Sequence, residues 1–388
     1  MINKPKNSHI LCLLIFLIAI GQISQTIYVP SIAKIAYDLG VIQEKIQGLM
    51  AGYLLCYGIS QFIYGPLSDR IGRKPVILIG MSIFIFATIL VLFINSLWSM
   101  IILCGIQGLG TGVGGVMART LPRDIFLNHH DLKKANGFLN MGILISPLLA
   151  PILGGIISNT FGWRMCFIFL LIIGIVISML ILYVFPETNP NKNFNKKIGF
   201  KFLLSKKKFN YYLIILTSSL SGIVAFESSS GIFLSQMGFD IIEISILFIL
   251  PVPSIFLGSF YIRYSKKSFT ELMWRATIFC FLSGIFMWIP GLLGIIKIWT
   301  ILAPASLFFF GAGMLFPLAT TGAMEPYSYM AGTAGALLGG IQNTGSSLIA
   351  FILSFFSKNN EQFTLGVITF FIGLIILLCW IRLSRLKN

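Results

Sequence analysis

Charged side chains are scarce in this sequence, and acidic ones are the scarcest. Asp and Glu together number 12 in 388 residues, and charged residues of all kinds make up 10% of the chain. A soluble globular protein carries about 25% charged residues, so this composition excludes an ordinary soluble domain. Apolar residues take their place, at 56% of the chain with a mean hydropathy of +0.91. The sequence therefore predicts a membrane protein with many apolar spans.

Motifs of catalysis and of metal binding are also missing from the sequence. The chain has neither a Walker A loop nor an H-E-x-x-H pattern, and His9, His129 and His130 fall at predicted membrane surfaces. All six cysteines lie inside apolar runs without C-x-x-C spacing. This placement is typical of small buried side chains and not of a metal site or a disulfide framework. We therefore expect no enzyme, no metal site and no bound cofactor.

Twelve apolar runs, each of about 20 residues, follow one another along the chain. A helix of about that length crosses about 30 Å of hydrocarbon, and the first run has no signal-peptide cleavage pattern that would remove it. We therefore predict an all-α membrane protein with twelve transmembrane helices. The predicted spans are approximately 9–29, 44–64, 76–95, 98–120, 137–157, 164–185, 211–234, 243–262, 273–292, 298–320, 331–355 and 363–381.

The distribution of Lys and Arg predicts the orientation of these spans. If the N-terminus lies inside, 23 of the 28 basic residues fall in cytoplasmic loops or helix ends, and 5 fall in outer loops. Cytoplasmic loops carry the excess of basic residues in membrane proteins, so both termini are expected in the cytoplasm. The net charge of +16 arises from these loops and not from one face of a soluble domain. We therefore expect no nucleic-acid partner.

A basic, polar loop from Pro186 to Asn210 divides the first six spans from the last six. We predict an N-terminal half at 1–187, a cytoplasmic linker at 188–210 and a C-terminal half at 211–388. The stretch Arg263-Tyr-Ser-Lys-Lys267 between spans eight and nine is a weak echo of a basic turn between spans two and three. Such an echo is expected of a duplicated half.

The stretch 65–75 between spans two and three is predicted to be a tight, charged turn at the cytoplasmic face. It resembles the signature that the major facilitator superfamily carries between its second and third helices. The resemblance implies two pseudo-symmetric six-helix halves around a central cavity, related by an axis along the membrane normal. The matching positions of the pattern G-x-L-x-D-R-x-G-R-K are Gly65, Leu67, Asp69, Gly72, Arg73 and Lys74.

Three further stretches, 21–30, 116–124 and 310–317, resemble the superfamily's bacterial twelve-span drug:proton antiporters. That resemblance implies export of small amphipathic drugs or detergents across the bacterial inner membrane, driven by inward proton flow. It also implies a monomer that needs no cofactor. The alternative is an exporter of the same fold for a narrower metabolite, such as a sugar or a siderophore. A single acid within the spans favours drugs, because a sugar site needs more amides and charges.

Glu227 is the one acidic residue predicted to lie within a span, since the other eleven fall in loops or at helix ends. It lies roughly 24 Å along span seven, past the midplane. An ionised carboxylate there costs a few kcal/mol, which favours the protonated form. We therefore predict that Glu227 is the protonation site coupled to transport. The alternative is a protonated acid held by Ser228, Ser229 or a neighbouring helix as a purely structural contact.

Arg119 lies near the cytoplasmic end of span four, after a run of glycines that includes Gly108 and Gly112. Glycines four residues apart allow a neighbouring helix to approach closely. Arg119 cannot usefully lose its proton, so the resemblance implies a fixed positive charge that tunes proton binding. The alternative is a side chain that extends to the inner surface and serves only the topology.

Span five resembles the antiporter signature g-x-x-x-G-P-x-x-G-G. Ser146 and Ala150 replace two glycines of that pattern, but both are small, so close packing of a bent helix is still expected. A tight bundle of any function could use the same pattern. The residues assigned to the antiporter motif are Gly142, Pro147, Pro151, Gly154 and Gly155.

Polar and aromatic side chains within the spans are candidates for the substrate cavity. Lipid cannot satisfy buried amides and phenols, so such groups face a partner or a cavity. An aromatic cavity with few directional polar groups suits large and varied ligands, including cations. Spans one and two supply the first five candidates and the resemblance adds the last two. They are Gln22, Gln25, Thr26, Tyr53, Tyr57, Phe248 and Trp299.

A conformational gate is predicted at the cytoplasmic face. Asp69 is expected to interact with the positive N-terminal end of span eleven near Ala331, and Arg73 is expected to pair with Asp124. These contacts would hold the two halves together as an easily broken surface latch, because a surface salt bridge contributes little. The residues assigned to the gate are Gly65, Asp69, Arg70, Gly72, Arg73 and Asp124.

Overall fold

The computed structural model describes residues 7–125, 146, 149–188, 200–356 and 361–386, and every regular element in these ranges is helical. Fifteen α-helices can be numbered there in chain order. They are α1 (Asn7–Thr26), α2 (Ile32–Asp38), α3 (Gln47–Ile71), α4 (Arg73–Val91), α5 (Leu97–Ile125), α6 (Leu149–Phe161), α7 (Arg164–Val184), α8 (Phe200–Leu204), α9 (Lys207–Gln236), α10 (Ile241–Ile249), α11 (Pro253–Tyr264), α12 (Phe269–Leu292), α13 (Trp299–Met324), α14 (Ala331–Phe356) and α15 (Glu361–Arg385).

Eleven helical stretches in the described ranges are long and apolar enough to cross a membrane. They correspond to eleven of the twelve predicted spans. The remaining one, predicted at 137–157, lies largely outside the described residues, and its last part falls within α6, a shorter apolar helix. An all-α membrane fold with eleven or twelve spans is therefore confirmed.

Proline interrupts the helix in one predicted span and follows the predicted end of another. The segment predicted at 243–262 consists of two helices, α10 and α11. The first ends before Pro251, and the second begins at Pro253. Proline has no N–H to donate and its ring clashes with the preceding helical turn. The first span is longer than predicted, because a 3₁₀ turn at Val29–Ser31 follows α1 and α2 continues the apolar chain to Asp38. Pro30 lies in that 3₁₀ turn.

The prediction of a tight turn over 65–75 is wrong in its extent. Helix α3 continues through Gly65 and Asp69 to Ile71, and α4 begins at Arg73, so Gly72 alone lies outside a helix. Gly72 has φ 105°, a conformation that side chains with a Cβ rarely adopt. An added Cβ there would also lie 2.5 Å from a carboxylate oxygen of Glu187. The charged residues and glycines of this stretch are typical of a loop. A helix can nevertheless continue beyond the apolar core with charged residues, as α3 does.

The buried apolar side chains form two large clusters. One is built mainly from α1 to α7 and includes Phe84 and Trp163, and the other is built mainly from α9 to α15 and includes Phe308 and Trp380. The two cores also share an apolar contact, because α3 packs extensively along α14 and four side chains of the second group belong to the first cluster. These side chains are Val224, Ile232, Phe248 and Ala350. The site described below lies where α9 meets α1, α3 and the 3₁₀ turn.

Small residues set the distance between these two groups of helices. Gly58 of α3 packs against Thr344 of α14, and Gly231 of α9 packs against the carbonyl of Val29, with no room for a Cβ at either glycine. Without a Cβ, the backbones come into direct contact.

Candidate functional site

The carboxyl group of Glu227 lies in the contact between the two groups of helices. Glu227 is 6% exposed, and Gln25 Nε2 donates a hydrogen bond to Glu227 Oε2 over 3.1 Å. This bond joins α1 to α9 across 202 positions of the chain. No salt bridge to Glu227 is found among the residues that the structure describes. The buried acid therefore meets an amide, and not a cation, of the opposite half.

The serines that follow Glu227 do not hold its carboxyl group. Ser228 donates to the carbonyl of Ala225 at 3.2 Å, and Ser229 accepts from Gln47 Nε2 at 3.4 Å. Ser230 donates to the backbone carbonyl of Glu227 at 3.0 Å. Ser228 and Ser229 therefore do not hold the acid, but Gln25 of the neighbouring helix α1 does, so the structural alternative stays open in that form.

Tyr28 is a neighbour of Glu227 that the sequence analysis missed. Its side chain is 2% exposed and lies close enough to interact electrostatically with Glu227. The Tyr28 hydroxyl is buried without a hydrogen-bond partner in the described part of the protein. The sequence contains a signal for this neighbour, because Tyr28 follows Gln25 by three positions, which is about one helical turn.

The two predicted cavity tyrosines lie together within the first group of helices. The Tyr53 hydroxyl is 2.7 Å from the carbonyl oxygen of Gly21 and 2.6 Å from Thr111 Oγ1. Its ring stacks on that of Tyr57 with centroids 6.1 Å apart. Tyr53 therefore ties α3 to both α1 and α5. Thr111, which completes this contact, was not singled out from the sequence.

The other cavity candidates are split between the site and the surface. Gln22 is half-buried, and Thr26 is buried and directed at the Gln22 carbonyl, 3.4 Å away. Phe248 is fully buried in a cluster of rings, 6.1 Å from Phe226 between centroids. Trp299 is 68% exposed at the first residue of α13, so the structure does not bring it into this cluster.

The ring cluster contains phenylalanines that sequence reasoning could not select among the 35 in the chain. Phe226 is its centre, with Phe309 at 5.5 Å and Phe233 at 6.1 Å between ring centroids. Phe226 directly precedes Glu227, so the rings adjoin the segment of α9 that carries the acid. We refer to Phe226, Phe248 and Phe309 as the aromatic wall, because the latter two rings are buried against Phe226, the residue next to Glu227 along the chain.

The antiporter motif is only partly described. Gly142 and Pro147 lie outside the described residues, whereas Pro151, Gly154 and Gly155 belong to α6. Gly154 packs against the carbonyl of Ile27, and Gly155 packs against the side chain of Ser245 in α10. A Cβ at either glycine would collide with these neighbours, so α6 touches both groups of helices through its glycines. Arg119 lies in α5, but its side chain is outside the described part.

Arg73 organises the predicted gate and is buried, with an exposed fraction of 7%. Its Nε lies 2.9 Å from Asp124 Oδ2, and its Nη1 lies 2.6 Å from both Asp69 Oδ1 and Ser68 Oγ. The pair between Arg73 and Asp124 is therefore present, with the guanidinium buried and the carboxylate partly exposed. It joins α4 to α5 within the first group of helices, so it does not itself hold the two halves together as expected. A buried, multiply bonded guanidinium is not easily released. Arg70 is exposed, and an added Cβ at Gly65 would have nothing within 4 Å.

Glu187 is a residue of the gate that the sequence does not reveal, because its partners are backbone amides far away along the chain. Its carboxylate accepts from the backbone N–H of Arg73 at 2.9 Å and of Lys74 at 3.2 Å. These are the first amides of α4, which have no partner within the helix. Glu187 thereby caps α4 from the end of α7. The predicted contact between Asp69 and the start of α14 stays a prediction, since side chains at 328–332 are not described.

Comparison with known proteins adds a family and relatives. A family model described as Major Facilitator Superfamily matches residues 14–351. The chain is 48% identical over 385 residues to multidrug resistance protein D of Escherichia coli strain K12, covering 98% of this chain and 97% of that protein. It is 27% identical over 355 residues to a bicyclomycin resistance protein homolog of Haemophilus influenzae, with 88% and 87% covered. A chloramphenicol resistance protein of Pseudomonas aeruginosa is 26% identical over 335 residues, with 83% and 78% covered.

Proposed function

Since the chain belongs to the major facilitator superfamily, we propose that it exports hydrophobic, amphipathic toxic compounds from bacteria in exchange for protons. It is a secondary active transporter of the inner membrane and works as a monomer, with no cofactor beyond the proton gradient. Relatives named for resistance to several drugs, to bicyclomycin and to chloramphenicol support a drug substrate. The Gly72 end of the bundle and both termini face the cytoplasm, as the distribution of basic residues favours.

The observation that carries this proposal is the Glu227 carboxyl group between the two halves. An ionised carboxylate is costly to bury without a cation, and one bound proton removes that cost. Gln25 supplies a neutral donor from the opposite half at 3.1 Å. The protonation state of Glu227 therefore determines the free-energy cost of keeping this contact closed and free of water. A proton and a cationic drug can each neutralise the carboxylate, so they compete for it, as antiport requires.

The aromatic wall beside Glu227 suits the substrate class. Phe226, Phe248 and Phe309 are buried against one another in this structure, and their apolar rings would offer a ligand no fixed hydrogen-bond geometry once the halves part. Such a surface accepts flat ligands of different shapes, and the ring faces attract cations. The polar groups that a sugar needs are few here. Arg119 of α5 contributes a fixed positive charge in the cytoplasmic half, which lowers the attraction of the cavity for protons.

Alternating access follows from the way the halves meet. The N-terminal half (1–187) and the C-terminal half (211–388), joined by the linker at 188–210, rock about the contacts between α3 and α14 and between α9 and the 3₁₀ turn. In the gate, Arg73 holds α3 and α5 together through Asp69 and Asp124. Asp69 engages the start of α14 when the cytoplasmic side closes.

The test is transport of an ethidium-like dye into inverted vesicles under an imposed proton gradient. Glu227→Gln keeps the size of the side chain but cannot take part in protonation, so it should abolish gradient-driven uptake while folding persists and the remaining dye binding no longer depends on pH. Glu243→Gln is the matched control, because Glu243 is an exposed acid whose cap on the Asp240 N–H a glutamine oxygen can keep. Coupled uptake that survives in Glu227→Gln contradicts the proposal. A saturable response to one metabolite alone would favour the narrower exporter.

A further inference from the structure

We propose that protons reach Glu227 through a narrow polar seam between the first half and α9, separate from the route that drugs take. The inference rests on the proposed role of Glu227 as the coupled acid. The seam leads from Glu227 to the end of the bundle that holds Asp38, opposite the Gly72 end. Its members are Gln25, Tyr28, Ser31, Gln43, Glu44, Gln47, Ser229 and Gln236.

Three hydrogen bonds between the halves mark the course of the seam. Gln25 bonds to Glu227 at 3.1 Å, Gln47 bonds to Ser229 at 3.4 Å, and Gln236 bonds to Glu44 at 3.4 Å. Between Glu227 and Gln236, α9 advances about 13 Å, at 1.5 Å per residue. The three bonds therefore follow α9 from the buried acid to the helix end.

Among the described residues, four buried polar atoms without a hydrogen-bond partner lie along the same course. They are the Tyr28 hydroxyl, the Ser31 hydroxyl, Gln43 Oε1 and Gln47 Oε1, all from the first half. Tyr28 directly precedes the 3₁₀ turn and Ser31 is its last residue, three positions further on, where side chains eclipse one another. Buried polar atoms of this kind normally hold ordered water. Four such atoms beside three polar contacts between the halves can bind a file of waters from Glu44 to Glu227.

The seam is too tight for a drug. Gly231 of α9 lies against the carbonyl of Val29 and the side chain of Ile32, with no space for even a Cβ. Single water molecules need only a space of about one probe sphere with two to four polar partners. The aromatic wall of Phe226, Phe248 and Phe309 belongs to α9, α10 and α13. Protons and drugs therefore approach Glu227 past different groups.

The proton balance of this route is simple. A hydronium ion at the Asp38 end gives up its proton at the half-buried Glu44 carboxylate, and water is left behind. The proton then passes between the seam waters, and a new O–H bond forms on the Glu227 carboxylate. Gln25 and Gln47 bind and orient the waters and do not themselves change protonation. They are positioning residues.

The experiment compares Gln47→Leu and Ser229→Ala with Gln107→Leu in the dye assay. Gln107 is a control because it is equally buried but bonds to Thr88 inside the first half, at 2.8 Å. The seam variants should slow gradient-driven dye transport and dye-triggered proton release by about tenfold. The affinity for dye at fixed pH and the number of protons released per dye should stay at the wild-type values. The rate should also lose part of its dependence on the pH at the Asp38 side in Glu44→Gln.

Three results overturn the seam. Wild-type rates in Gln47→Leu and Ser229→Ala would do so, as would an equal slowing in Gln107→Leu. A weakened dye affinity in Ser229→Ala, the smallest change and the least able to disturb folding, would place this residue in the drug route instead. If Glu227→Gln abolishes coupling while the seam variants behave as wild type, the seam fails and the proposed function stands. If Glu227→Gln keeps coupling, the proposed function itself fails.

Discussion

Arg73 shows what a single buried charge does in this protein. Its guanidinium contacts carboxylates of α3 and α5, and its backbone N–H is bound by Glu187 at the end of α7. One residue therefore joins the ends of four helices, including its own α4. The two carboxylates are partly exposed, so removing either one costs less than breaking a fully buried ion pair. The predicted gate is thus a structural joint of the first half, in addition to its proposed role as a switch.

Arg73→Lys tests that joint. Lysine keeps the charge but cannot form the planar fork that bonds Asp124 and Asp69 together. We expect the free energy of unfolding to fall by about 1–3 kcal/mol and turnover to slow, with dye affinity unchanged. Thermal unfolding in detergent and dye transport in vesicles measure the two effects. Arg70→Lys is the control, because Arg70 is exposed nearby. Equal behaviour of the two variants would contradict this account.

Asp69→Asn separates the switch from the joint. Asparagine keeps a hydrogen-bond acceptor near Arg73 but removes the negative charge that is expected to meet the positive N-terminal end of α14. We expect ligand binding to stay nearly intact while turnover slows, as judged by dye binding and transport on the same preparation. Loss of binding would argue against a latch and for a direct part in the cavity.

The number of spans was predictable from the sequence, but the positions of the helix ends were not. The number of spans follows from length and apolarity, so it was predictable for 243–262 even though Pro251 breaks that helix. The ends of helices outside the apolar core were not predictable, because Gly65, Pro66 and Asp69 favour a turn while α3 continues to Ile71. Glu187 was missed since its partners are backbone amides 113 and 114 positions away.

Some residues of the candidate site were likewise predictable from the sequence, and others were not. Glu227 stood out because an acid within a span is costly wherever the helix faces. Trp299 could not be placed, since an aromatic at a helix end can face lipid, water or a neighbouring helix. The Phe226 cluster depends on which faces of α9, α10 and α13 meet, and that information comes from packing between distant segments.

The contact between α6 and α10 is an element-scale prediction. Gly155→Ala places a methyl group on the side chain of Ser245 and should push these helices apart. We expect slower transport and a lower unfolding temperature, because overpacking costs about 1–3 kcal/mol. Ser245→Gly removes the colliding atoms, so the double variant should recover most of both properties. If Ser245→Gly gives no rescue, the effect of Gly155→Ala does not arise at this contact.

The described part of the molecule consists of two packed cores that meet through glycine contacts, a few hydrogen bonds and an extended contact between α3 and α14. Two cores of this kind can move as bodies, because changing the contact between them leaves each core intact. In the proposed mechanism, protonation of Glu227 changes the polarity of that contact. The motion and the chemistry are therefore linked at one place.

Cross-linking at the Asp38 end tests this motion. Glu44 and Gln236 contact one another across the halves, so Glu44→Cys with Gln236→Cys should be joined by a short thiol cross-linker. We expect the joined protein to stop transporting dye and to recover when the link is reversed. Glu44→Cys alone controls for the exposed native Cys12. Continued transport by the fully linked double variant would show that this end need not open.

The polar seam also has a pharmacological consequence. A small molecule with paired amide donors and acceptors could replace the waters beside Gln47 and Tyr28 without touching the phenylalanine wall. Drugs would still bind, but the acid could no longer be recharged, so inhibition would be noncompetitive with every substrate. Resistance that arises by reshaping the aromatic wall would not relieve it. An inhibitor aimed at the seam would therefore restore sensitivity to several drugs at once.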